Sequence, residues 1–343
     1  MIERGIADAQ ANDEERLFEA SLRPRSLADF TGQPKLKENL KIAIEAAKMR
    51  GEAMDHVLLY GPPGLGKTTI ATLIANELGS SFEQTSAPVL QKKLDLTGLL
   101  SNIRAKQVFF IDEIHRLAPD VEEMLYSALE DFRVDILVGT GPGARTHSLP
   151  VPKFTAVGAT TRLGNISAPL RGRFGLMLRL DVYQPDELAG IVRRSAKILD
   201  LKMDELASTE IARRSRGTPR IANRLLRRVR DYAQVKASGE MSKQIAIDAL
   251  ELLEVDPLGL DEVDRRIMDA ILVKFDGGPV GLSTLSSAID EEAGTIEDVY
   301  EPYLIQQGFV DRTPRGRIAT DRAYEYFGLS RRRSASGPPN VLP

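Results

Sequence analysis

Between residues 21 and 180, short apolar runs alternate with segments whose apolar side chains recur every three or four positions. Short apolar runs predict buried strands, and the longer period predicts helices that bury one face. The alternation of the two predicts an α/β fold with a parallel sheet. The predicted strands are 57–60, 108–111, 134–138, 154–158 and 177–181.

After residue 185 the pattern changes to helical periodicity alone, which continues to about 254 and predicts a small helical domain. Beyond it, the sequence predicts three helices followed by a two-stranded ribbon, the order of elements in a winged helix. Thr295 and Asp298 are spaced as a capping box for the third of these helices. The predicted domains are 1–181 (beginning with a loosely held arm over 1–20), 182–254, 255–330 and a disordered tail, 331–343.

Composition limits the possible functions. The chain has 343 residues and a net charge of −3, so only local basic clusters can argue for nucleic-acid binding. The absence of cysteine excludes disulfides and thiolate chemistry. The three histidines, His56, His115 and His147, lack the spacing of zinc ligands. No apolar run approaches the roughly 20 residues that cross a bilayer and no secretion signal is present, so we expect a cytoplasmic protein without a membrane partner.

Residues 61–68, GPPGLGKT, fit the pattern G-x-x-x-x-G-K-[ST] between a predicted strand and a predicted helix. Glycines such as Gly64 and Gly66 let the backbone approach an anion closely, and a helix N-terminus favours phosphate. Lys67 is expected to reach the β- and γ-phosphates, Thr68 to ligate Mg²⁺, and Thr69 to add a phosphate contact. A chance match in a glycine-rich turn is the alternative, which the flanking strand and helix disfavour.

The second motif is the apolar run 108–111, which ends in Asp112 and Glu113. We expect this strand to lie beside the phosphate-loop strand, with Asp112 holding Mg²⁺ and Glu113 orienting the attacking water. A solvated acidic pair at a strand end is the alternative. Together the two motifs predict a protein that hydrolyses a nucleoside triphosphate.

A third predicted strand ends in Thr160 and Thr161, and we expect it to lie beside the strand that ends in Asp112. Thr161 is our candidate for sensing the γ-phosphate, although a hydroxyl that caps a turn would fit the sequence almost as well. Arg171 and Arg173 follow, and arginine forks neutralise charge on phosphates. In a ring, they could reach the nucleotide of a neighbouring subunit; the alternative is two surface arginines.

In Thr218-Pro219-Arg220, Thr218 and Pro219 fit the start of a helix, whereas Arg220 opposes the helix dipole there. A phosphate partner would explain Arg220. Residues 211–230 contain eight arginines and no acid, which suggests an anionic partner or a subunit interface rather than a solvated helix face. The predicted ribbon carries three more arginines, and we expect them to follow a DNA backbone, with a protein contact as the alternative. They are Arg312, Arg315 and Arg317.

These motifs together resemble the RuvB family of AAA+ motors, which drive branch migration of Holliday junctions in bacteria. The likeness covers about residues 15–328. AAA+ ATPases in general share the first motifs, GPPGLGKTT, FIDEIHRL and VGATTR. The later strings are characteristic of this family: PLRGRFG, RGTPRIANRLLRRVRD, GGPVGL, TIEDVYEPYLIQQGF and RTPRGR.

The resemblance implies an AAA+ domain, a lid and a winged helix, arranged in a homohexameric ring that uses ATP and Mg²⁺. It also implies duplex DNA at Holliday junctions, RuvA, and RuvC in the resolvasome as partners. By motif match, Leu22, Arg23 and Tyr183 frame the adenine nucleotide, Arg173 is the arginine finger acting in trans, and Arg220 is the second sensor. Glu130, Asp131 and Phe132 are further implied nucleotide contacts.

One segment departs from the family pattern. Where RuvB proteins carry an apolar hairpin that docks on RuvA, residues 145–149 contain only one clearly apolar side chain, Leu149. Two other functions remain open: a clamp-loader-like ATPase, which the winged helix disfavours, and a nucleotide-switched DNA-binding regulator. Glu113 and the paired arginines favour turnover over switching.

Overall fold

The computed structural model describes residues 19–138 and 145–331. The part of the predicted arm before residue 19 and the predicted tail from residue 332 onward lie outside the described residues, as do residues 139–144. The chain divides into two compact units at Lys243. The helices of the first unit are α1 (Pro34–Arg50), α2 (Lys67–Leu78), α3 (Lys93–Ser101), α4 (Pro119–Glu130), α5 (Ala168–Arg171), α6 (Pro185–Ile198), α7 (Glu205–Arg213) and α8 (Pro219–Lys236).

A five-stranded parallel sheet forms the centre of the first unit, which confirms the predicted α/β fold. The three central strands are buried along almost their whole length, whereas the two edge strands are largely exposed. The strands, in their order across the sheet, are β2 (Phe82–Ser86), β3 (Val108–Asp112), β6 (Thr155–Thr160), β1 (Val57–Tyr60) and β7 (Leu176–Arg179).

Two predictions about this sheet are wrong. β3 does not lie beside β1, because β6 is inserted between them and pairs with both. The run 134–138 is not in this sheet either: β4 (Arg133–Val138) pairs antiparallel with β5 (Arg145–Pro150) as a separate hairpin. Val134 is buried while Arg133 and Asp135 are exposed, an alternation typical of a strand with one solvated face. The prediction also missed β2, a polar edge strand without a fully buried residue.

The core beneath the sheet fixes one histidine in a structural role. His56 packs near the rings of Phe132 and Phe154, with centroid distances of 6.0 and 5.6 Å. Its Nε2 donates to the Leu129 carbonyl at 3.0 Å, and its Nδ1 accepts from the Ala156 amide at 2.9 Å. Burial lowers the pKa of His56, so the ring is neutral with its proton on Nε2.

Helices α6, α7 and α8 continue the first unit as the predicted helical segment, with a short parallel pair between β8 (Lys202–Met203) and β9 (Glu240–Met241). Helix α8 begins after Thr218, with Pro219 at its first position as expected. This places Arg220 in the first helical turn, directed by the helix start toward the phosphate loop.

The second unit has the winged-helix order of elements, as predicted. Its core is built around Phe309, Leu304, Ile271 and Met268, all at most 1% exposed. Its elements are α9 (Lys243–Leu252, which begins at the division), α10 (Glu262–Asp269), a π-helix (Ala270–Lys274), α11 (Leu282–Ile289), α12 (Ala293–Thr295), a π-helix (Ile296–Tyr300), α13 (Glu301–Gln306), β10 (Val310–Thr313), β11 (Gly316–Ala319) and α14 (Asp321–Tyr326).

The predicted capping box at Thr295 and Asp298 is wrong. Thr295 already has helical backbone angles, because the third helix begins at Ala293 and continues through a π-turn to Gln306. The wider turn precedes Pro302, which has no N–H to donate and would crowd the carbonyl one turn earlier. Among the helices of the described residues, none is long and apolar enough to cross a membrane.

Candidate active site

Three parts of the first unit meet at one cavity: the phosphate loop after β1, the carboxyl ends of β3 and β6, and helices α6 and α8. The space within it, including the open mouth, is about 1040 Å³. Twelve predicted site residues line it together: Leu22, Arg23, Gly64, Gly66, Lys67, Thr68, Thr69, Asp112, Glu113, Thr161, Tyr183 and Arg220.

Lys67 is the most deeply placed cation of this cavity. Its ammonium donates to the carbonyls of Gly61 and Pro62 at 2.8 and 2.9 Å, so the phosphate loop wraps around its own lysine. Burial lowers the pKa of Lys67 from 10.5 to about 8, against the opposing attraction of Asp112. Because a buried cation is held with only partial compensation, an anion entering the loop would be stabilised by it.

Gly64 brings the phosphate loop directly against the start of α8. Its φ is +76°, and a Cβ there would lie only 2.6 Å from Cγ2 of Thr218. The Arg220 amide donates to the Gly64 carbonyl at 3.4 Å. Only glycine meets both the backbone angle and the space, so this contact couples loop and lid helix.

At the end of β3, Asp112 accepts the amide of Glu113 at 2.9 Å, and Arg116 donates to the Glu113 carboxylate at 2.8 Å. Glu113, which lines the cavity, has a φ of +50°, a conformation that costs free energy in a non-glycine residue. The two threonines where β6 ends differ in their exposure. Thr160 is buried, 3.0 Å from His115 Nδ1, whereas Thr161 is exposed to the cavity.

Charges of both signs meet where the N-terminal segment, residues 19–33, lines the cavity. The carboxylate of Glu19 lies 3.2 Å from Nε of Arg220. Burial lowers the pKa of Arg23, with Glu19 opposing the shift and Arg220 adding to it. Tyr183 is 4% exposed and its hydroxyl donates to the Leu65 carbonyl at 3.4 Å; burial, then the charge of Glu187, raises its pKa.

Several residues of the cavity were not predicted from the sequence, and Arg194 is chemically the most informative of them. It donates to the carbonyls of Asp29 and Leu22 at 2.8 and 3.2 Å and thereby connects α6 to the N-terminal segment. Its position three residues after Ile191, on the face of an otherwise apolar helix stripe, was the available signal. The missed lining residues are Glu19, Pro24, Phe30, Thr31, Pro63, Leu65, Ile191, Arg194, Pro219 and Asn223.

Four residues predicted for the nucleotide site do not line this cavity: Arg173, Glu130, Asp131 and Phe132. They lie at a second location of the same unit. Arg173 forms an ion pair with Glu130 at 2.7 Å, and Asp131 pairs with Arg133 at 3.4 Å. Phe132 packs edge-on against Phe154 at a centroid distance of 6.1 Å.

The arginines of 211–230 are less isolated than their sequence indicates. Arg214 is buried against Glu210 at 2.9 Å, and Arg228 and Arg230 lie 3.6 and 2.7 Å from Asp231. Both acids fall just outside the acid-free window; helical spacing brings Glu210 to Arg214 and Asp231 to Arg228, and Arg230 reaches Asp231 as its neighbour in the chain. The expectation of like charges without relief is therefore wrong for these positions.

The arginines of the ribbon differ from one another. Arg315 is exposed at the tip, and Arg312 is exposed but pairs with Glu297 at 2.6 Å. Arg317 is 8% exposed at its side chain and forms a bidentate pair with buried Glu301 at 2.7 and 3.2 Å. Arg317 thus stabilises the wing from within.

Taken together, the five-stranded sheet, the glycine-rich loop, the arginine-bearing lid helix and the winged helix define an ATPase of the AAA+ class. Models of three protein families match successive parts of the chain. They are the "Holliday junction DNA helicase RuvB P-loop domain" over residues 22–180, the "RuvB AAA lid domain" over 183–256 and the "RuvB C-terminal winged helix domain" over 257–328.

Individual relatives agree with these family models. The "Holliday junction branch migration complex subunit RuvB" of Solibacter usitatus is 67% identical over 342 residues, covering 100% of this chain and 99% of the relative. The protein of the same name from Koribacter versatilis is 61% identical over 317 residues, 92% and 88% of the two chains. A solved structure titled as the Thermotoga maritima RuvB Holliday junction branch migration motor is 49% identical with a TM-score of 0.83, covering 90% of this chain and 99% of that one. The chain belongs to the RuvB family, which confirms the resemblance argued from its motifs.

Proposed function

We propose that this protein is an ATP-driven DNA translocase that powers Holliday junction branch migration in recombination and repair. One observation carries the proposal: Lys67, Asp112, Glu113 and lid residue Arg220 converge on a single cavity that a phosphate loop closes. Hydrolysis needs the first three together, and coupling to movement needs the fourth. The relatives named above are branch migration proteins over the whole length of this chain.

Within the cavity we assign each residue by its position. Lys67 binds the terminal phosphates, assisted by the loop amides and by Thr69. Thr68 and Asp112 would hold a Mg²⁺ ion, since a hydroxyl and a carboxylate are hard oxygen donors, and a bound ion would supply charge neutralisation at the phosphates. Glu113 orients the attacking water and accepts its proton.

The remaining cavity residues frame the nucleoside and sense the phosphates. Leu22 and Tyr183 provide apolar surface for the base, and Arg23 lies beside them. Thr161 is the polar group at the end of β6 that we assign to the γ-phosphate. Arg220, in the first turn of α8, recognises the same phosphate from the lid. Because its amide also donates to the carbonyl of Gly64, a change at the phosphates would alter the position of α8 relative to the phosphate loop.

The predicted residues outside the cavity support a ring. Arg173 pairs with Glu130 and has no place in its own subunit's cavity, so we assign it to the nucleotide of a neighbouring protomer. Asp131 and Phe132 directly follow Glu130 in the chain, and we assign all three to the same neighbouring nucleotide. A heterologous contact of this kind closes into a ring when the rotation permits, and we propose a homohexamer around duplex DNA.

The winged helix supplies the DNA contact in this proposal. We assign Arg312 and Arg315 to contacts with phosphates rather than bases. Arg317, predicted with them, reaches DNA only if its pair with Glu301 opens. The three-domain division at about 181 and 254 remains part of the proposal.

RuvA at the junction and RuvC in the resolvasome are the proposed protein partners, and the cytoplasm, where the bacterial chromosome lies, is the proposed compartment. The β4–β5 hairpin is the proposed contact with RuvA, and Leu149, 41% exposed, is its candidate anchor.

A synthetic four-way junction tests the proposal. With ATP, Mg²⁺ and RuvA, the protein should separate the junction into two duplexes, and Lys67→Ala should abolish both ATP hydrolysis and separation. Healthy ATPase activity without junction separation would refute the motor and favour a clamp-loader-like ATPase or a nucleotide-switched regulator. Arg173→Ala should bind ATP but not hydrolyse it; unchanged turnover would refute the trans role.

A further inference from the structure

The guanidinium of Arg173 is held by three groups of its own protomer. It lies over the ring of Tyr126 at 4.6 Å, donates to the Pro169 carbonyl at 2.7 Å, and pairs with Glu130 at 2.7 Å. The side chain is only 26% exposed. Its Nε is buried and has no hydrogen-bond partner among the described residues, so the arrangement does not maximise the arginine's own hydrogen bonds.

Tyr126 is itself fixed in place. Its hydroxyl donates to Glu122 and lies 3.0 Å from Oγ of Ser167, while its ring packs against the core beneath the sheet. Ser167 caps the short helix α5 by accepting from Leu170, and this helix leads directly to Arg173. Glu122 and Tyr126 are four residues apart, on one face of α4. The ring therefore links a rigid helix to the segment that carries the arginine.

The contacts of Arg173 with Glu130 and with Tyr126 differ in which hydrogen-bond donors of the guanidinium they occupy. The ion pair with Glu130 engages an Nη2 donor that a phosphate would need, and Glu130 is 63% exposed, so the pair is screened by solvent. The ring of Tyr126 contacts the face of the guanidinium and uses none of its in-plane donors. Arg173 can therefore exchange a carboxylate for a phosphate while it remains stacked on Tyr126.

We propose that Tyr126 is a positioning residue for Arg173, whose ring orients the guanidinium for the nucleotide of the neighbouring protomer. This inference rests on the proposed trans role of Arg173. An unsupported arginine loses more side-chain entropy when it binds phosphate, and stacking reduces that loss beforehand. Tyr126 acts through Arg173 and does not touch the substrate.

The first experiment compares two variants of the full-length protein with junction DNA present. Tyr126→Phe keeps the ring and should retain most of the turnover. Tyr126→Leu removes the π-face and should lower kcat about threefold to tenfold, the range of a partly exposed cation–π contact, with KM for ATP changed little. A Tyr126→Leu protein with wild-type kcat would overturn the inference.

The second experiment separates positioning from damage to the protomer's own site. Glu113→Gln subunits should bind ATP, lack turnover and still provide Arg173. Mixed one to one with Tyr126→Leu subunits, they supply an intact Arg173 finger to about half of the Tyr126→Leu active sites in a random ring, so turnover per Tyr126→Leu subunit should rise about twofold to fivefold above that of Tyr126→Leu alone. The double variant Glu113→Gln/Tyr126→Leu should give no such gain.

Arg173→Ala mixed with Glu113→Gln is the matched control. Failure of this control, or full activity of Arg173→Ala alone, would refute the proposed trans role itself. If the control recovers turnover but the Tyr126→Leu mixture does not, the defect lies within the Tyr126→Leu protomer's own site and the positioning role is wrong.

Discussion

Replacing Glu19 by glutamine tests whether the nucleotide-free site is held by an internal ion pair. Its carboxylate lies 3.2 Å from Nε of Arg220, and both residues line the cavity. A triphosphate that recruits Arg220 must separate this pair, and the negative charge of Glu19 also repels the incoming anion. Because glutamine keeps the size and removes the charge, we expect Glu19→Gln to bind ATP more tightly.

The magnitude follows from the distance and the exposure. Two unit charges 3.2 Å apart attract by about 5 kcal/mol at an effective dielectric constant of 20. The side chain of Arg220 is 60% exposed, so desolvation and screening reduce the net value to about 1 kcal/mol or less. That free energy corresponds to about a twofold to fivefold lower Kd for ATP. The gain should diminish as salt is added.

Equilibrium titration with a non-hydrolysable ATP analogue measures this effect, and a double-mutant cycle with Arg220→Ala assigns it. The gain from Glu19→Gln should be smaller in the Arg220→Ala background, because the pair is already absent there. Glu45→Gln removes an equal charge from the exposed pair with Lys41 and serves as the control. An unchanged or higher Kd for Glu19→Gln, or an equal gain in both backgrounds, would refute the reasoning.

Three further predictions concern the loop and the wing. Because burial lowers the pKa of Lys67 to about 8, this lysine is neutral in part of the protein molecules at about pH 8.5, and ATP binding at that pH should take up protons. Calorimetry in buffers of different ionisation enthalpy measures this proton uptake, and equal binding enthalpies in all buffers would contradict the prediction. For Gly64→Ala we expect at least tenfold weaker nucleotide binding in a titration, since the new Cβ would lie 2.6 Å from a lid side chain, whereas Gly164→Ala, with open space around it, should bind normally. Arg317→Ala should lower the unfolding free energy of the winged helix by about 3–5 kcal/mol in urea, because it leaves a buried carboxylate unpaired, while Arg315→Ala should only weaken DNA binding and its salt dependence; equal stability of the two variants would contradict the burial argument.

The lowered pKa of Lys67 also makes the stability of the folded protein depend on pH. Its folded pKa of about 8 lies below the ordinary 10.5, so the folded protein binds fewer protons than the unfolded chain between these values. The cost of burying the ammonium is therefore fully present below about pH 8, and this group's contribution to stability improves as the pH rises toward 10.5.

The sequence predicted those parts of the site whose chemistry is local. The phosphate loop is a contiguous pattern in which glycine, lysine and threonine each have one physical reason for their position. Asp112 and Glu113 follow an uncharged strand, and Arg220 was recognisable because it opposes the helix dipole. In each case a short segment contains both the structure and its functional residue.

Interactions between distant segments were not predictable in the same way. Periodicity identified the strand 108–111 but not its neighbour, because strand order depends on crossovers rather than on the strand's own residues. The edge strand Phe82–Ser86 lacks the apolar run that identifies a buried strand. Arg194 lines the cavity from α6 and donates to the carbonyl of Asp29, which is 165 residues away in sequence.

The division of the predicted site between two locations is the strongest structural argument for assembly. Arginine is the residue best suited to neutralise transition-state charge on phosphate, yet Arg173 lies outside the cavity that contains Lys67 and Glu113. Surface arginines are ordinarily mobile, whereas this one is stacked on Tyr126, bound to a carbonyl and mostly buried. Such ordering costs side-chain entropy without serving the cavity of the same protomer. The ordering has a purpose if a second copy of the chain presents its cavity to Arg173, and a protein that remained monomeric with ATP, Mg²⁺ and junction DNA would remove that explanation.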